Sequence, residues 1–208
     1  MIKICGITRL EDARHAVEQG ADALGFIFWP RSPRHIEPAR AAEIIVHVPG
    51  SVTTVGVFVN ETLDAVRTAV EHARVKAVQL HGDEDPSFAA ALTSPFFRSV
   101  TLDDAPASLR EWPASTTWLL DASDRVKRGG TGTAVDWTAA AAFAREHRVI
   151  LAGGLTAENV TDAVAIVRPF GVDVSSGVEV APGVKDPDKV TRFIANARQA
   201  FEREAIHR

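Results

Sequence analysis

Short apolar and β-branched runs alternate along the chain with alanine-rich stretches that carry scattered charges. The apolar runs have the length of buried strands, and the alanine-rich stretches have the spacing of helices. Because parallel strands need a crossover connection, usually a helix, this alternation predicts a parallel sheet built from strand–helix units. Eight strands are predicted, at residues 2–5, 23–28, 53–59, 77–81, 97–102, 118–121, 149–152 and 172–175.

Several boundaries of these elements carry local signals. Thr8, with Glu11 three residues further on, is expected to cap the first helix, and Gly20 is expected to follow its end. Asp136 is expected to cap the sixth helix. Three prolines between residues 29 and 38 exclude a regular element there, so this segment is predicted to be a loop.

The number of units favours one architecture over another. Eight strand–helix units favour an α/β fold of the (β/α)8 (TIM) barrel type, because open sheets of the flavodoxin kind normally stop at five or six strands. The chain ends with a predicted loop at 177–185 and a long helix at 186–203. No change in composition marks a domain boundary, so residues 1–208 are predicted to form a single barrel domain.

Composition and charge narrow the kind of partner. A formal net charge of −4 and a pI near 6.0 give no bulk attraction to nucleic acid or to an anionic membrane. The single cysteine, Cys5, excludes an internal disulfide and a multi-thiolate metal site. No apolar run reaches the roughly 18 residues of a membrane span, and the first residues read as a strand rather than a signal peptide. We therefore expect a cytoplasmic monomer that acts on a small molecule.

Polar groups and glycines follow most of the predicted strands. In a (β/α)8 barrel, the functional groups lie at the carboxyl ends of the strands and in the loops that follow them. The amino ends of the strands show no comparable set, so the carboxyl rim is predicted to be the active face. The residues at this rim are Cys5-Gly6, Trp29-Pro30-Arg31, Asn60, His81-Gly82, Asp121, Gly153-Gly154 and Ser175-Ser176-Gly177.

Three of these residues have a side chain that could transfer a proton. Cys5 could act as a base if positive charge lowered the pKa of its thiol from about 8.5, although a free cysteine is usually a small buried apolar residue. Asp121 follows an apolar strand that should raise its pKa, which suits a general acid, but it could equally anchor a loop. His81 could exchange protons or serve as a hydrogen-bonded scaffold. Since His81 has no second ligand at metal spacing, no metal is predicted.

Strand parity predicts an ion pair inside the barrel. Lys3 and Cys5 point to one side of the first strand, and Asp173 and Ser175 share a side of the eighth. Closure of the barrel makes these two strands neighbours, so Lys3 and Asp173 are expected to meet in the interior. The pair could be structural or could take part in catalysis.

Two glycine-containing loops and a proline-rich loop suggest anion binding. Gly153-Gly154 and Ser175-Ser176-Gly177 follow the seventh and eighth strands, where barrels often bind phosphate through backbone N–H groups. Arg31 and Arg34 lie on the proline-rich loop, whose stiffness could hold a guanidinium ready for a substrate carboxylate.

Eleven short segments, from KICGIT (3–8) to DVSSGVE (173–179), occur in an order that resembles the phosphoribosylanthranilate isomerase family. The resemblance runs from residue 3 to about residue 190, although residues 92–118 match no motif, and Trp29 stands where a tyrosine or similar aromatic is expected. The matching segments are KICGIT (3–8), GFIF (25–28), SPR (32–34), VFVN (57–60), VQLHG (78–82), LD (120–121), GGTG (129–132), DW (136–137), AGGL (152–155), NV (159–160) and DVSSGVE (173–179).

The resemblance implies an isomerase of tryptophan biosynthesis that needs neither a metal nor another cofactor. Its reaction is the Amadori rearrangement of N-(5-phosphoribosyl)anthranilate, a phosphosugar, to 1-(2-carboxyphenylamino)-1-deoxyribulose 5-phosphate. The family's general base corresponds to Cys5, its general acid to Asp121 and its carboxylate-binding arginine to Arg34. Its phosphate site corresponds to Gly153-Gly154 and Ser175-Ser176-Gly177. We further assign His81 and Asp173 to substrate binding.

Two other interpretations stay open at the level of sequence. One is another phosphate-binding barrel enzyme of tryptophan or histidine biosynthesis. A synthase of the indoleglycerol-phosphate type would need a lysine at a strand end, whereas Lys3 lies below the rim, and a histidine-pathway isomerase would need two similar halves. The other is a barrel that binds a phosphosugar without catalysis, which the presence of both Cys5 and Asp121 disfavours.

Overall fold

A closed barrel of eight parallel strands forms the centre of the protein. The computed structural model describes residues 1–121 and 136–206. The strands are β1 (Ile2–Ile4), β2 (Ala23–Ile27), β3 (Thr53–Phe58), β4 (Ala77–Leu80), β5 (Phe96–Val100), β6 (Trp118–Leu120), β7 (Val149–Leu151) and β8 (Gly171–Val174). Each strand pairs with its neighbours in the chain, and β1 pairs with β8 to close the ring. The predicted (β/α)8 barrel is therefore confirmed.

Each barrel strand is followed by a helix. The helices are α1 (Leu10–Glu18), α2 (Pro38–Ile45), α3 (Leu63–Ala73), α4 (Pro86–Ala90), α5 (Ala105–Glu111), α6 (Trp137–Glu146), α7 (Val160–Val167) and α8 (Pro187–Ile206). Among the described residues, no helix has both the length and the apolar character to cross a membrane.

The sheet separates two apolar clusters. The larger one lies between the strands and the helices and includes Phe26, Trp118 and Phe193. The smaller one is formed by alternate strand residues that face the axis, and Met1 packs against it. The members of this inner cluster are Ala23, Val55, Ala77, Phe97, Leu119, Ile150 and Ala152. Above them the interior becomes polar, starting with the fully buried Lys3.

The predicted helix caps are partly right. The Asp136 side chain accepts hydrogen bonds from the backbone N–H groups of Thr138 and Ala139, as expected. The predicted cap at Thr8 is wrong, because Arg9 occupies the N-cap position of α1 without a side-chain cap. The Thr8 hydroxyl instead donates to the carbonyl oxygen of Gly183, 2.5 Å away. It therefore ties the start of the chain to the segment after β8.

The segment after β8 has more structure than the predicted loop at 177–185. It forms a 3₁₀ turn at Ser176–Val178, followed by two short antiparallel strands, β9 (Glu179–Ala181) and β10 (Val184–Lys185). We call residues 179–185 the rim hairpin. The predicted glycine-rich segment 129–132 lies outside the described residues.

Candidate active site

Cys5 and Asp121 stand directly after two strands at the carboxyl rim. The N–H of Cys5 donates to the Val174 carbonyl at 2.8 Å, and the N–H of Asp121 donates to the Val100 carbonyl at 3.0 Å. These backbone bonds extend the ladders by one residue beyond β1 and β6. Since β6 stands three places from β1 around the ring, the two residues approach the barrel axis from different sides.

The Cys5 thiol is buried in a space that a glycine leaves open. A Cβ added at Gly25 on β2 would lie 2.7 Å from Cys5 Sγ and 3.2 Å from Lys3 Cε, so both side chains occupy the space beside Gly25. Burial raises the pKa of the Cys5 thiol, while the charges of Lys3 and Lys185 act in the opposite direction without cancelling it. The positive charge that a basic Cys5 would require is present, but its effect on the pKa of the thiol is outweighed by desolvation.

A chain of polar side chains crosses the interior below Cys5 and leads to Asp121. Lys3 Nζ donates to Asp173 Oδ1 at 2.8 Å and to Gln79 Oε1 at 3.0 Å. Gln79 Nε2 lies 2.9 Å from His81 Nδ1, and His81 Nε2 lies 3.7 Å from Asp121 Oδ2. We call these five residues the interior polar chain. The predicted meeting of Lys3 and Asp173 is observed, and it forms the first link.

The donors and acceptors of this chain fix the tautomer of His81. Lys3 can only donate, so the atom of Gln79 that faces it must be the carbonyl oxygen. The amide nitrogen of Gln79 then donates to His81 Nδ1. In the neutral ring the proton therefore resides on Nε2, the nitrogen that faces Asp121.

The loops after β7 and β8 are shaped by glycines. Gly153 and Gly154 have φ angles of 78° and 67°, in the left-handed region that favours glycine. A Cβ at Gly177 would stand 1.9 Å from the carbonyl oxygen of Leu155, so the two loops touch only because this residue lacks a side chain. The Asn159 side chain donates to the Gly154 carbonyl at 2.9 Å and stabilises the first loop.

These two loops present hydrogen-bond donors to a common cavity. Its lining includes Asp121, Asp173 and both loops. Within residues 1–121 and 136–206, the Ser175 hydroxyl has no hydrogen-bond partner. The backbone N–H groups of Gly153, Gly154, Ser176 and Gly177 likewise donate to no acceptor in that part of the chain. A concave set of unengaged donors is suited to an anion.

Arg34 is held by a carboxylate that the sequence reasoning did not assign. Its Nε donates to Glu179 Oε1 and Oε2 at 2.9 and 3.1 Å, and its Nη2 donates to Oε2 at 2.8 Å. Arg34 also lies at the rim, since a Cβ added at Gly6 would be 2.8 Å from Arg34 Cδ and 3.0 Å from Ser175 Oγ. The structure thus brings Arg34 beside the end of β1 and the glycine-shaped loop after β8. Arg31 has no such contact among the described residues.

Lys185, on the rim hairpin, is a second residue that the sequence reasoning missed. Its Nζ donates to Glu179 Oε1 at 2.8 Å, to the Cys5 carbonyl at 2.5 Å and to the Ser175 carbonyl at 3.3 Å. Desolvation lowers the pKa of Lys185, and Glu179 opposes this shift. Lys185 therefore cross-links the ends of β1 and β8 from outside the barrel, whereas Lys3 does so from inside.

The barrel and its rim define the class, and the comparisons with known proteins define the family. Glycine-shaped loops with free donors after the seventh and eighth strands are typical of phosphate-binding (β/α)8 barrels. The family model for N-(5'-phosphoribosyl)anthranilate (PRA) isomerase matches residues 2–196. The chain therefore belongs to the PRA isomerase family.

Individual relatives agree with this assignment. The N-(5'-phosphoribosyl)anthranilate isomerase of Trichlorobacter lovleyi is 49% identical over 206 residues, which covers 96% of this chain and 98% of the relative. A crystal structure of a phosphoribosyl anthranilate isomerase in complex with reduced 1-(o-carboxyphenylamino)-1-deoxyribulose 5-phosphate is 40% identical, with a TM-score of 0.85 and coverage of 95% and 98%. A structure of monomers generated from the dimeric Thermotoga maritima enzyme has a TM-score of 0.84, 40% identity and the same coverage.

Proposed function

We propose that this chain isomerises N-(5-phosphoribosyl)anthranilate to 1-(2-carboxyphenylamino)-1-deoxyribulose 5-phosphate, with Cys5 as the general base and Asp121 as the general acid. The observation that carries the proposal is the arrangement of the rim. Cys5 and Asp121 end two separated strands, and the donor-rich loops after β7 and β8 lie between these strands around the ring.

The acid acts first. Asp121 protonates the ring oxygen of the furanose, and the ring opens to an iminium at C1. The Nε2–H of His81, 3.7 Å from the Asp121 carboxyl, supplies a dipole that favours the carboxylate left after the proton has moved. His81 therefore supports the acid and helps to position the sugar. Proton transfer of this kind typically contributes ~10²–10⁴-fold to the rate.

The base acts on the opened sugar. The Cys5 thiol first loses its proton to water, the thiolate then takes the proton from C2, and the resulting enolamine tautomerises to the ketone. Because burial raises the pKa of this thiol, the thiolate is a strong base once it forms. The iminium lies one carbon from the proton to be removed, so its positive charge favours the thiolate at the step that uses it. Lys3 adds to this effect from below.

The remaining groups orient the substrate. The phosphate binds the N–H groups of Gly153-Gly154 and Ser175-Ser176-Gly177, together with the Ser175 hydroxyl, which has no partner among the described residues. Asp173, which lines the same cavity and is anchored by Lys3, accepts a hydrogen bond from a ribose hydroxyl. Arg34 binds the carboxylate on the anthranilate ring. Binding energy from the phosphate and the carboxylate thus holds the reacting carbons in place.

Contacts within a single chain do not determine how many copies of the protein assemble. We infer a single catalytic barrel domain that acts as a monomer on a small phosphosugar. Sedimentation velocity of the purified protein tests this, because a dimer sediments as a species of twice the mass, 22.4 kDa per chain.

The direct test of the function is turnover of freshly generated phosphoribosylanthranilate, followed by the loss of its fluorescence. The wild-type protein is expected to consume it, and no turnover would overturn the proposed function. Cys5→Ala and Asp121→Asn are each expected to lower kcat by ~10²–10⁴-fold while the product still binds. Asp64→Asn, which removes an exposed carboxylate on α3, serves as the matched control. Near-normal kcat in either variant would remove that residue from the mechanism.

A further inference from the structure

Among the described residues, the Arg34 guanidinium is bound by a carboxylate along one of its two edges. The guanidinium has five N–H donors arranged along two edges that can each face a carboxylate. Glu179 occupies the Nε–Nη2 edge with three hydrogen bonds. Within the described part of the chain, Nη1 donates to no protein acceptor. The edge formed by Nη1 and Nη2 therefore remains for a second carboxylate.

The charges around Arg34 explain why a second carboxylate would still be attracted. Arg34 and Glu179 alone form a neutral pair, which attracts an anion only weakly. Lys185 Nζ donates to the same carboxylate at 2.8 Å, so the three residues together carry one net positive charge. All three side chains are almost shielded from water, which strengthens the effect of that charge.

Glu179 has a different task from Lys185. Without this carboxylate, two buried cations would face each other, and the long Arg34 side chain would be free to rotate. The fork on Glu179 fixes the plane of the guanidinium before any ligand arrives. Lys185 in turn fixes the carboxylate, and it is itself held by the carbonyls of Cys5 and Ser175. These contacts thus hold the Arg34 guanidinium at a fixed position relative to the proposed base, Cys5, and to the proposed phosphate-binding loops.

We infer that Glu179 and Lys185 are positioning residues that make Arg34 selective for a substrate with a ring carboxylate. Glu179 orients the guanidinium, and Lys185 restores the positive charge that Glu179 neutralises. This inference rests on the proposed function and deepens it. It predicts that recognition of the carboxylate depends on two residues that do not touch the substrate.

Two substrates separate this role from a purely structural one. N-(5-phosphoribosyl)anthranilate is compared with N-(5-phosphoribosyl)aniline, which has the same sugar phosphate but no carboxylate. The aniline adduct is measured as a substrate or, where its turnover is slow, as a competitive inhibitor. Lys185→Met is expected to raise KM for the anthranilate adduct by roughly 10- to 100-fold, because it removes the net positive charge of the three residues from a site that is almost shielded from water. KM or Ki for the aniline adduct is expected to change less than about threefold.

Glu179→Gln provides a second, independent readout. It leaves both cations in place and thus increases the local positive charge, but it removes the charged acceptor that orients Arg34. A rise of about tenfold in KM for the anthranilate adduct alone is expected. A lower KM would show that net charge, not orientation, governs binding, and would overturn the positioning role of Glu179.

The controls keep the outcome decisive. Lys189→Met removes a half-exposed lysine that donates to the Glu179 backbone carbonyl at 3.0 Å, and it should leave the ratio of the two KM values unchanged. Lys185→Arg should restore most of the selectivity, and it replaces Lys185→Met if the methionine variant does not fold. Equal losses for both adducts in Lys185→Met and Glu179→Gln would overturn the inference. Failure of the wild type to turn over the anthranilate adduct would instead overturn the proposed function.

Discussion

Two buried lysines flank the end of β1, and the protein holds them in different ways. Lys3 lies inside the barrel and pairs with Asp173, its register partner on β8. Lys185 lies outside the barrel on the rim hairpin and pairs with Glu179, which also binds Arg34. One lysine belongs to the strand architecture and the other to a connection. The comparison shows that similar charges can be fixed by the fold itself or by a local loop.

The two settings shift the two amine pKa values in opposite directions. Burial alone would lower the pKa of Lys3, but the Asp173 carboxylate and the Cys5 sulfur together outweigh it, so the pKa of Lys3 is raised. Burial lowers the pKa of Lys185, and Glu179 does not compensate fully. Glu179 is shared with Arg34, whose charge lowers the pKa of Lys185 further. A lysine that has a carboxylate to itself therefore retains its proton to higher pH than a lysine that shares its carboxylate with an arginine.

The largest effect is expected from Lys3→Met. It leaves Asp173 buried without its cation, and breaking a buried pair in this way typically costs about 3–5 kcal/mol. Lys185→Met should cost less, because Glu179 keeps its three hydrogen bonds to Arg34. Denaturant-induced unfolding measures both free energies. The double variant Lys3→Met/Asp173→Asn should recover part of the loss, and equal losses for the two single lysine variants would contradict the comparison.

Much of the site on the strands could be predicted from the sequence. Strand parity and barrel closure are sufficient to bring Lys3 to Asp173 and to set Cys5 and Asp121 at the same rim. Parity also pointed to Gln79, since it shares a face with His81 two residues later, and a buried glutamine on a strand needs partners. That signal was present and was not used.

The contribution of the rim hairpin could not be predicted in this way. Residues 179–185 have no hydrophobic period, so nothing in their sequence indicates that Lys185 folds back onto the backbone carbonyl of Cys5. The same holds for Thr8, whose local pattern fits a helix cap but whose hydroxyl binds Gly183 instead. Contacts of this kind depend on how distant loops meet after the barrel has closed, and local propensity does not encode them.

A smaller effect on stability and kcat is expected from Gly25→Ala, and it should be confined to the interior side of β1, where Lys3 and Cys5 lie. The added Cβ would lie 2.7 Å from Cys5 Sγ and 3.1 Å from Cys5 Cα, so the thiol must move. Overpacking of this kind costs about 1–3 kcal/mol, and displacement of the proposed base by about 1 Å can lower the rate by ~10²-fold. Unfolding and kcat are the two measurements.

The control for this variant is another glycine. Gly50→Ala places its Cβ where no described residue other than its two chain neighbours has an atom within 4 Å, and it should change neither stability nor kcat appreciably. In Gly25→Ala, discrimination between the anthranilate and aniline adducts should persist, because the rim hairpin is not disturbed. Loss of that discrimination would show that the two sides of β1 are not independent.

The smallest effect is the alkaline titration of the two lysines, which should have opposite signs. An unfolded lysine titrates near 10.5. Lys185 has a lowered folded pKa, so between that pKa and 10.5 the unfolded chain binds more protons and stability rises with pH. Lys3 has a raised folded pKa, so its contribution is constant below 10.5 and falls as pH rises beyond it. Each slope is at most about 1.4 kcal/mol per pH unit. Between pH 8 and 11, the free energy of unfolding of the wild-type protein should therefore rise relative to that of Lys185→Met. The difference between the wild type and Lys3→Met should stay constant up to about pH 10.5 and shrink above it. Slopes of the same sign would mean that both lysines lie in equivalent environments.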